Sequence, residues 1–328
     1  MLNLEEILSR NQELGDAINE IFNEQAGGNA LFKDPISFRK YLNCPKRIAD
    51  SIIDNVKELN PSIILSNPYI KGLVSQKASY KDWSLENIVL KANTLFTSDE
   101  TTVDSRLNEI TPLGYFSKDI EVPAVFEKDR IWMSVVPHEI FTMQKAIDES
   151  KGKVLAYGLG LGYFPLMAAM KDDVEEVIVV EKEQEPIDLF LKCIAPSFKE
   201  SSKIKIVKMD AFKHASKVKD GEYDMIFADI WHDAEDGLEL YSRFLKFFDG
   251  FKKSVVSYWI EETILTYARR ILEILLIEKE NGATDDWYKE AQNDEDALIN
   301  KIYWASKHRA NQNELLSSNF VRSILRNM

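Results

Sequence analysis

Cysteine is nearly absent from this chain: Cys44 and Cys193 are the only two among 328 residues. They stand far apart and match no metal-ligand or redox spacing. That excludes a disulfide-stapled scaffold and a cysteine-based metal site, and implies free, buried thiols in a reducing compartment. Positive charge is also short, with 41 Lys and Arg against 54 Asp and Glu and a formal net charge of −13. A surface so biased repels phosphates, and the mildly basic run from Lys199 to Lys208 is interrupted, so no nucleic-acid partner is expected. No apolar run approaches the ~18 residues of a membrane-spanning helix. The N-terminus, Met1-Leu2-Asn3-Leu4-Glu5-Glu6, lacks the basic and apolar regions of a secretion signal. The expectation is a cytoplasmic protein with no membrane partner. Internal repeats and low-complexity stretches are lacking too.

What is present changes texture along the chain. Over residues 1–110, helical spacing dominates. Leu4, Ile7, Leu8, Leu14, Ile18, Ile21 and Phe22 recur on one helix face, and Gly27-Gly28 then breaks the pattern. Further helices are expected near Pro35–Asn43, from Pro45 to about Leu59, and over Trp83–Leu95, giving a helical N-terminal region. In the next segment, 111–137, Ile120–Phe126 and Ile131–Val136 flank a turn near Glu127–Arg130 and predict a β-hairpin. From 138 to 280 strands and helices alternate. Val154–Tyr157, Val174–Glu181, Ile204–Val207, Tyr223–Asp229 and Ser254–Trp259 are near-continuously apolar. Such strands, separated by helices, predict an α/β fold with a doubly wound, Rossmann-like parallel sheet buried on both faces. Residues 281–328 read as amphipathic C-terminal helices.

The first strand of that sheet runs into Gly158-Leu159-Gly160-Leu161-Gly162. In an open α/β sheet, ligands sit beyond the carboxyl ends of the strands. Glycines there permit positive φ and let a ligand approach the backbone, and the following helix offers free N–H groups. A dinucleotide fingerprint requires G-x-G-x-x-G, and its third glycine is replaced here by Tyr163. No G-K-[S/T] follows, so a P-loop is excluded. Two more strands end in acids. Glu181 closes the second, nineteen positions after Gly162, where a carboxylate can accept hydrogen bonds from both hydroxyls of a ribose. Asp210-Ala211 closes the third strand, and Asp229 closes the fourth.

These residues, in this order, resemble the class I S-adenosylmethionine-dependent methyltransferase superfamily. The stretch from about Trp132 to Trp259 is most similar to its spermidine synthase-like branch: a β-hairpin precedes the sheet, Ala156 replaces the usual motif I acid, and Asp229 is followed by Trp231-His232-Asp233 and an aromatic helix. The resemblance implies a cofactor site for S-adenosyl-L-methionine, or its decarboxylated form, built from Tyr157, Gly158, Gly160, Gly162, Glu181, Asp210, Ala211 and Asp229. In it Asp210 would bond the adenine amine and the Ala211 N–H a ring nitrogen. No metal is implied. The chain also departs from that branch. Leu161 stands where spermidine synthases carry the loop aspartate, the second acid after Asp229 comes one residue late as Asp233, and helices replace the closing hairpin.

Displacement at a sulfonium needs mainly two partners held in line. For a small, amine-bearing acceptor the expected catalytic residues are Asp229, which can orient the amine, Asp233 beside it, and His232, whose ordinary pKa of about 6.5 suits proton transfer. The bland alternative for His232 is a histidine capping the next helix. Tyr157, Tyr163 and Trp231 are aromatic candidates for the pocket, and Ser134, His138 and Glu139 for one wall. The expected activity is methyl transfer. Aminopropyl transfer and a non-catalytic nucleoside-binding protein of the same fold stand as alternatives. For the N-terminal region three roles stay open: substrate recognition, capping of the pocket, or homodimer formation.

Overall fold

A computed structural model of the protein describes residues 3–22 and 31–328; the break expected at Gly27-Gly28 lies outside them. The chain opens with α1 (Leu4–Phe22), α2 (Pro35–Tyr41) and α3 (Lys46–Asp54). Asp34 starts α2 by accepting hydrogen bonds from the Ile36 and Ser37 N–H groups, with Pro35 in the first turn. A mixed stretch follows: β1 (Val56–Glu58), α4 (Ser62–Leu65), α5 (Pro68–Leu73), β2 (Ala78–Tyr80), β3 (Trp83–Leu90), β4 (Phe96–Thr97), β5 (Thr102–Val103), β6 (Glu109–Ile110) and β7 (Leu113–Tyr115).

This corrects the expectation that residues 1–110 are helical. The segment expected as a helix over Trp83–Leu95 contains a strand, β3, paired antiparallel over its whole length, from Trp83 opposite Glu127 to Leu90 opposite Ile120. Leu85, Ile88 and Val89 fit helical spacing equally well. The partner strand decides, because pairing across a sheet overrides local preference. That partner is β8 (Ile120–Glu127), which turns through Lys128 at φ 57° into β9 (Arg130–Ser134). The hairpin is thus part of a four-stranded sheet, β2-β3-β8-β9.

The second half alternates: α6 (Pro137–Glu149), β10 (Gly152–Tyr157), α7 (Tyr163–Ala169), β11 (Val174–Glu181), α8 (Gln184–Leu189), β12 (Ile204–Lys208), α9 (Ala211–Ala215), β13 (Met225–Ala228), α10 (Ala234–Phe248), β14 (Val255–Tyr258) and α11 (Glu261–Glu280). The five strands are all parallel, in the order β12-β11-β10-β13-β14. The order reverses at β10, as in a doubly wound Rossmann-like sheet, and so the expected fold class is the one observed. Side-chain alternation assigns the two faces. Phe227, in register with Ala156, stacks on Phe164 of α7 at a centroid distance of 4.1 Å. Tyr157, one residue on, lies on the other face against Phe244 of α10 at 5.1 Å. Helices α12 (Asp294–Ser306) and α13 (Ser318–Leu325) end the chain, and Val321, Ile324 and Leu325 join the main core. No helix among the described residues is long and apolar enough to cross a membrane.

Two close fits bracket β10. Gly152, at φ 54°, begins β10 with no room for a Cβ, which would fall 2.2 Å from Asp224 Oδ2, and the Lys153 N–H donates to that same oxygen at 2.9 Å. At the other end Gly158, at φ 93°, lies against the Asp229 carbonyl, 1.8 Å from where a Cβ would stand. Gly158→Ala therefore meets both a clash with backbone and an unfavourable φ. It is expected to cost more than ~2 kcal/mol of unfolding free energy, read from the urea midpoint. A midpoint unchanged from the wild type would contradict the fit.

Candidate active site

The glycine loop hangs from β10 by its own backbone. Gly158 N–H donates to Val180 O at 3.0 Å, and Gly162 N–H to Leu159 O at 2.7 Å. Gly160 and Gly162 both take left-handed φ, 49° and 75°, and Gly162 caps α7 with Phe190 pressed over it. Gly160 lies beneath Met133 of β9, whose sulfur would stand 3.3 Å from an added Cβ. The hairpin is thus a lintel over the loop. Tyr69, in the N-terminal half, donates from its hydroxyl to Leu161 O at 2.7 Å, and Asn67 donates to the Tyr163 hydroxyl at 2.9 Å.

Between loop, hairpin and α6 lies a cavity of about 340 Å³. That is at the small end of ligand pockets. Gly158 and Gly160 form its floor, Trp132, Trp231 and Trp259 supply aromatic wall, and Glu139 and Asp229 are its acids. No lysine or arginine lines it among the described residues. Trp231 is fixed by its indole N–H, which donates to Trp259 O at 3.2 Å, and Trp259 by donating to Thr142 Oγ1 at 2.9 Å. Asp229 sits where β13 ends, its N–H donating to Tyr157 O at 2.9 Å. Burial pushes its carboxyl up to about 7, and His232 nearby draws it back a little. Glu139 is pushed up to about 8, first by burial and then by the charge of Asp229.

Several expected residues stand elsewhere. Tyr157, expected at the cofactor, belongs to the opposite face of the sheet, where its hydroxyl meets His214 Nδ1 at 3.1 Å. Asp233, expected to be catalytic, is the N-cap of α10: its carboxylate accepts from Glu235 N and Asp236 N, and Asp236 accepts from Asp233 N in return. His232 touches the cavity rim, but its side chain is 91% exposed and its Nδ1 lies 3.0 Å from Asp236 Oδ2, beside the box that caps α10. The cavity brings together Gly158, Gly160 and Asp229, while Gly162 shapes the turn behind them.

Glu181 lies beside the loop, not in the cavity wall. Its Oε2 accepts from the Leu159 N–H at 3.2 Å and its Oε1 from the Glu183 N–H at 2.9 Å. Asp210 caps α9 by accepting from the Lys213 N–H at 2.9 Å, with Ala211 the first residue of that helix, two strands away from the cavity. Glu139, Trp132 and Trp259 complete the cavity wall. Only the Pro137-His138-Glu139 run before the sheet hinted at the first of these in the sequence, and Tyr69 and Asn67 left no local signal.

No family model matches this chain, and no curated protein does. Among solved structures it is similar to spermidine synthase from Thermotoga maritima, at 16% identity and a TM-score of 0.32, over 60% of this chain and 61% of that one. A spermidine synthase in complex with the transition state analogue AdoDATO gives 17% and 0.34, over 60% and 63%. The SAH-bound Podospora anserina methyltransferase PaMTH1 gives 15% and 0.29, over 57% and 64%. The chain thus spans less than two thirds of the length of each of these proteins.

Two raised carboxyls make the protein sensitive to base. Unfolded, Glu139 and Asp229 ionise near pH 4; folded, they hold protons to about 8 and 7. The folded state binds more protons across that window, so stability falls as pH rises through it. Glu100 and Glu273, also raised to about 7 and 8, share the trend. Calorimetric Tm is expected to fall between roughly pH 4 and 8, and less steeply in Asp229→Asn. A slope identical in that variant would count against the burial of Asp229. Separately, Asp233→Ala is expected to cost about 1 kcal/mol of stability, as loss of an N-cap does, in urea unfolding.

Proposed function

We propose that this protein is an S-adenosylmethionine-dependent transferase, a methyltransferase acting on a small, amine-bearing acceptor. Asp229 carries the reading. Its carboxylate is half-buried, lines the cavity floored by the glycine loop, and has no hydrogen-bond or ion-pair partner among the described residues. A desolvated anion without a counter-ion is unfavourable, so a cation is its natural occupant. Both a sulfonium and an ammonium are cations, and the faces of Trp132, Trp231 and Trp259 suit one as well, at ~0.5–2 kcal/mol for a cation–π contact.

The residues present fit the donor. When bound, S-adenosylmethionine would supply an electrophilic carbon on its sulfonium. The backbone of Gly158 and Gly160 would hold it at the β10 exit. Glu181 has four lone-pair sites and spends two of them on Leu159 and Glu183, which leaves two for a ribose diol. Asp210 and Ala211 would meet the adenine, as the resemblance implies. Asp229 would orient the acceptor nitrogen and offset the charge that builds on it. Leu161 is apolar where aminopropyltransferases place an acid against the transferred chain, and Asp233 is occupied in a cap, which favours methyl over aminopropyl transfer.

Titration calorimetry is expected to show binding of S-adenosylmethionine and none of NADH. Glu181→Ala should weaken the former tenfold or more, the loss of charge-assisted bonds of ~1.5–3 kcal/mol. Transfer of labelled methyl to a panel of small amines should fall by about 10²-fold or more in Asp229→Asn. Absence of sulfonium binding in the wild type would defeat the reading. Binding without turnover on any amine, hydroxyl or thiol would convert it to the non-catalytic alternative.

A further inference from the structure

The second acid of the cavity was not among the expected catalytic residues. Glu139 is the third residue of α6, and its carboxylate reaches back to the Val136 N–H. Such a one-way contact takes one acceptor site of the carboxylate and leaves the rest free. A first-turn acid that only caps is ordinarily solvated. Glu139 instead lies half-buried in the wall of the cavity that also holds Asp229, among Val135, Met143 and Tyr163. Two acids from separate stretches of the chain, one before the sheet and one at the end of its fourth strand in sequence, thus converge on one small chamber. Among the described residues no lysine or arginine lines that chamber, and the rim histidine is itself held by Asp236.

We propose that Glu139 and Asp229 act as a proton-accepting pair for the ammonium group of the acceptor, with Glu139 in contact with the reacting nitrogen; this rests on the transferase reading above. Two like charges sharing a desolvated site do not both stay ionised, so the empty pair retains a proton near neutrality. An alkylammonium entering the chamber replaces that proton, which leaves to solvent, and is held between two carboxylates. One N–H proton then passes from nitrogen to a carboxylate oxygen of the pair. The nitrogen lone pair is freed, and the net charge of the chamber is unchanged. After the product departs as a substituted ammonium, the pair is again singly protonated. One proton per cycle has gone to water, as substitution on an ammonium requires. The burial of both carboxyls, which raises their pKa values into the neutral range, matches this exchange.

The test counts protons and does not depend on turnover. The wild type is titrated with propylamine and with benzylamine at neutral pH in two buffers of different ionisation enthalpy. About one proton released per amine bound is expected. Glu139→Gln should cut the release by half or more and weaken amine binding roughly tenfold or more. Release and affinity unchanged in that variant overturn the proposal, and so does failure of either amine to bind the wild type at millimolar concentration. Should the variant not fold, carboxyl NMR of isotope-labelled wild type replaces it. A glutamate carboxyl titrating near 8 and shifting when amine is added supports the pair; its absence overturns it. S-Adenosylmethionine is titrated separately. Sulfonium binding without amine-linked proton release removes the pair and leaves the transferase, whereas amine-linked release without sulfonium binding removes the transferase and leaves an ammonium site.

Discussion

The site depends on one close approach of backbone to backbone. Gly158 and the carbonyl of Asp229 touch where β10 and β13 leave the sheet together, and the Asp229 N–H is tied to Tyr157 O. No side chain fits between them. The glycine loop and the acid of the next strand are therefore one rigid unit, and neither can move without unpairing the end of the sheet. The rest of the site follows from that unit. The loop rises from it, Glu181 fastens the Leu159 N–H from the neighbouring strand, and the hairpin carrying Met133 closes over Gly160.

Among the described residues the acids of this cavity are lined by indole side chains and by no lysine or arginine. Arginines do pair with acids elsewhere in the chain: Arg270 holds Glu109, and Arg322 holds Glu261 in a two-pronged contact. Among the described residues no such partner stands beside Asp229, so the overall acidity of the chain does not explain it. A site that leaves its acids unmatched keeps part of its electrostatic balance for whatever enters it.

The five parallel strands were legible because strands buried on both faces spell themselves as apolar runs, and Val154–Tyr157 and Val174–Glu181 do so plainly. Strand β3 was not, since its identity rests on a partner some thirty-five residues away. The acid-rich segment after β13 carried two signals at once. Asp229 followed by His232 and Asp233 reads as chemistry, while Asp233-x-x-Asp236 spells a capping box, and the local hydrogen bonds chose the box. Tyr157 could have been placed by strand alternation, which sets it on the face away from Ala156 and Phe227 and so away from the cavity. Glu139 gave only a hint, because a helix before the sheet does not reveal which strand end it will face.

The contacts of α5 with the loop bear on how separable the halves are. Tyr69 is fully buried, bonds Leu161 O, and lies parallel to Phe198 at 5.6 Å, while Gly72 lets the Phe198 ring come against the helix backbone. Excising the sheet at Pro137 would strip the loop carbonyl of its donor and open an aromatic hole beneath it. Each orphaned polar group forfeits ~1–3 kcal/mol, before the lost ring contacts are counted. The Rossmann-like half is therefore no portable cassette. Fragments or chimaeras made at that junction inherit a loop without its floor.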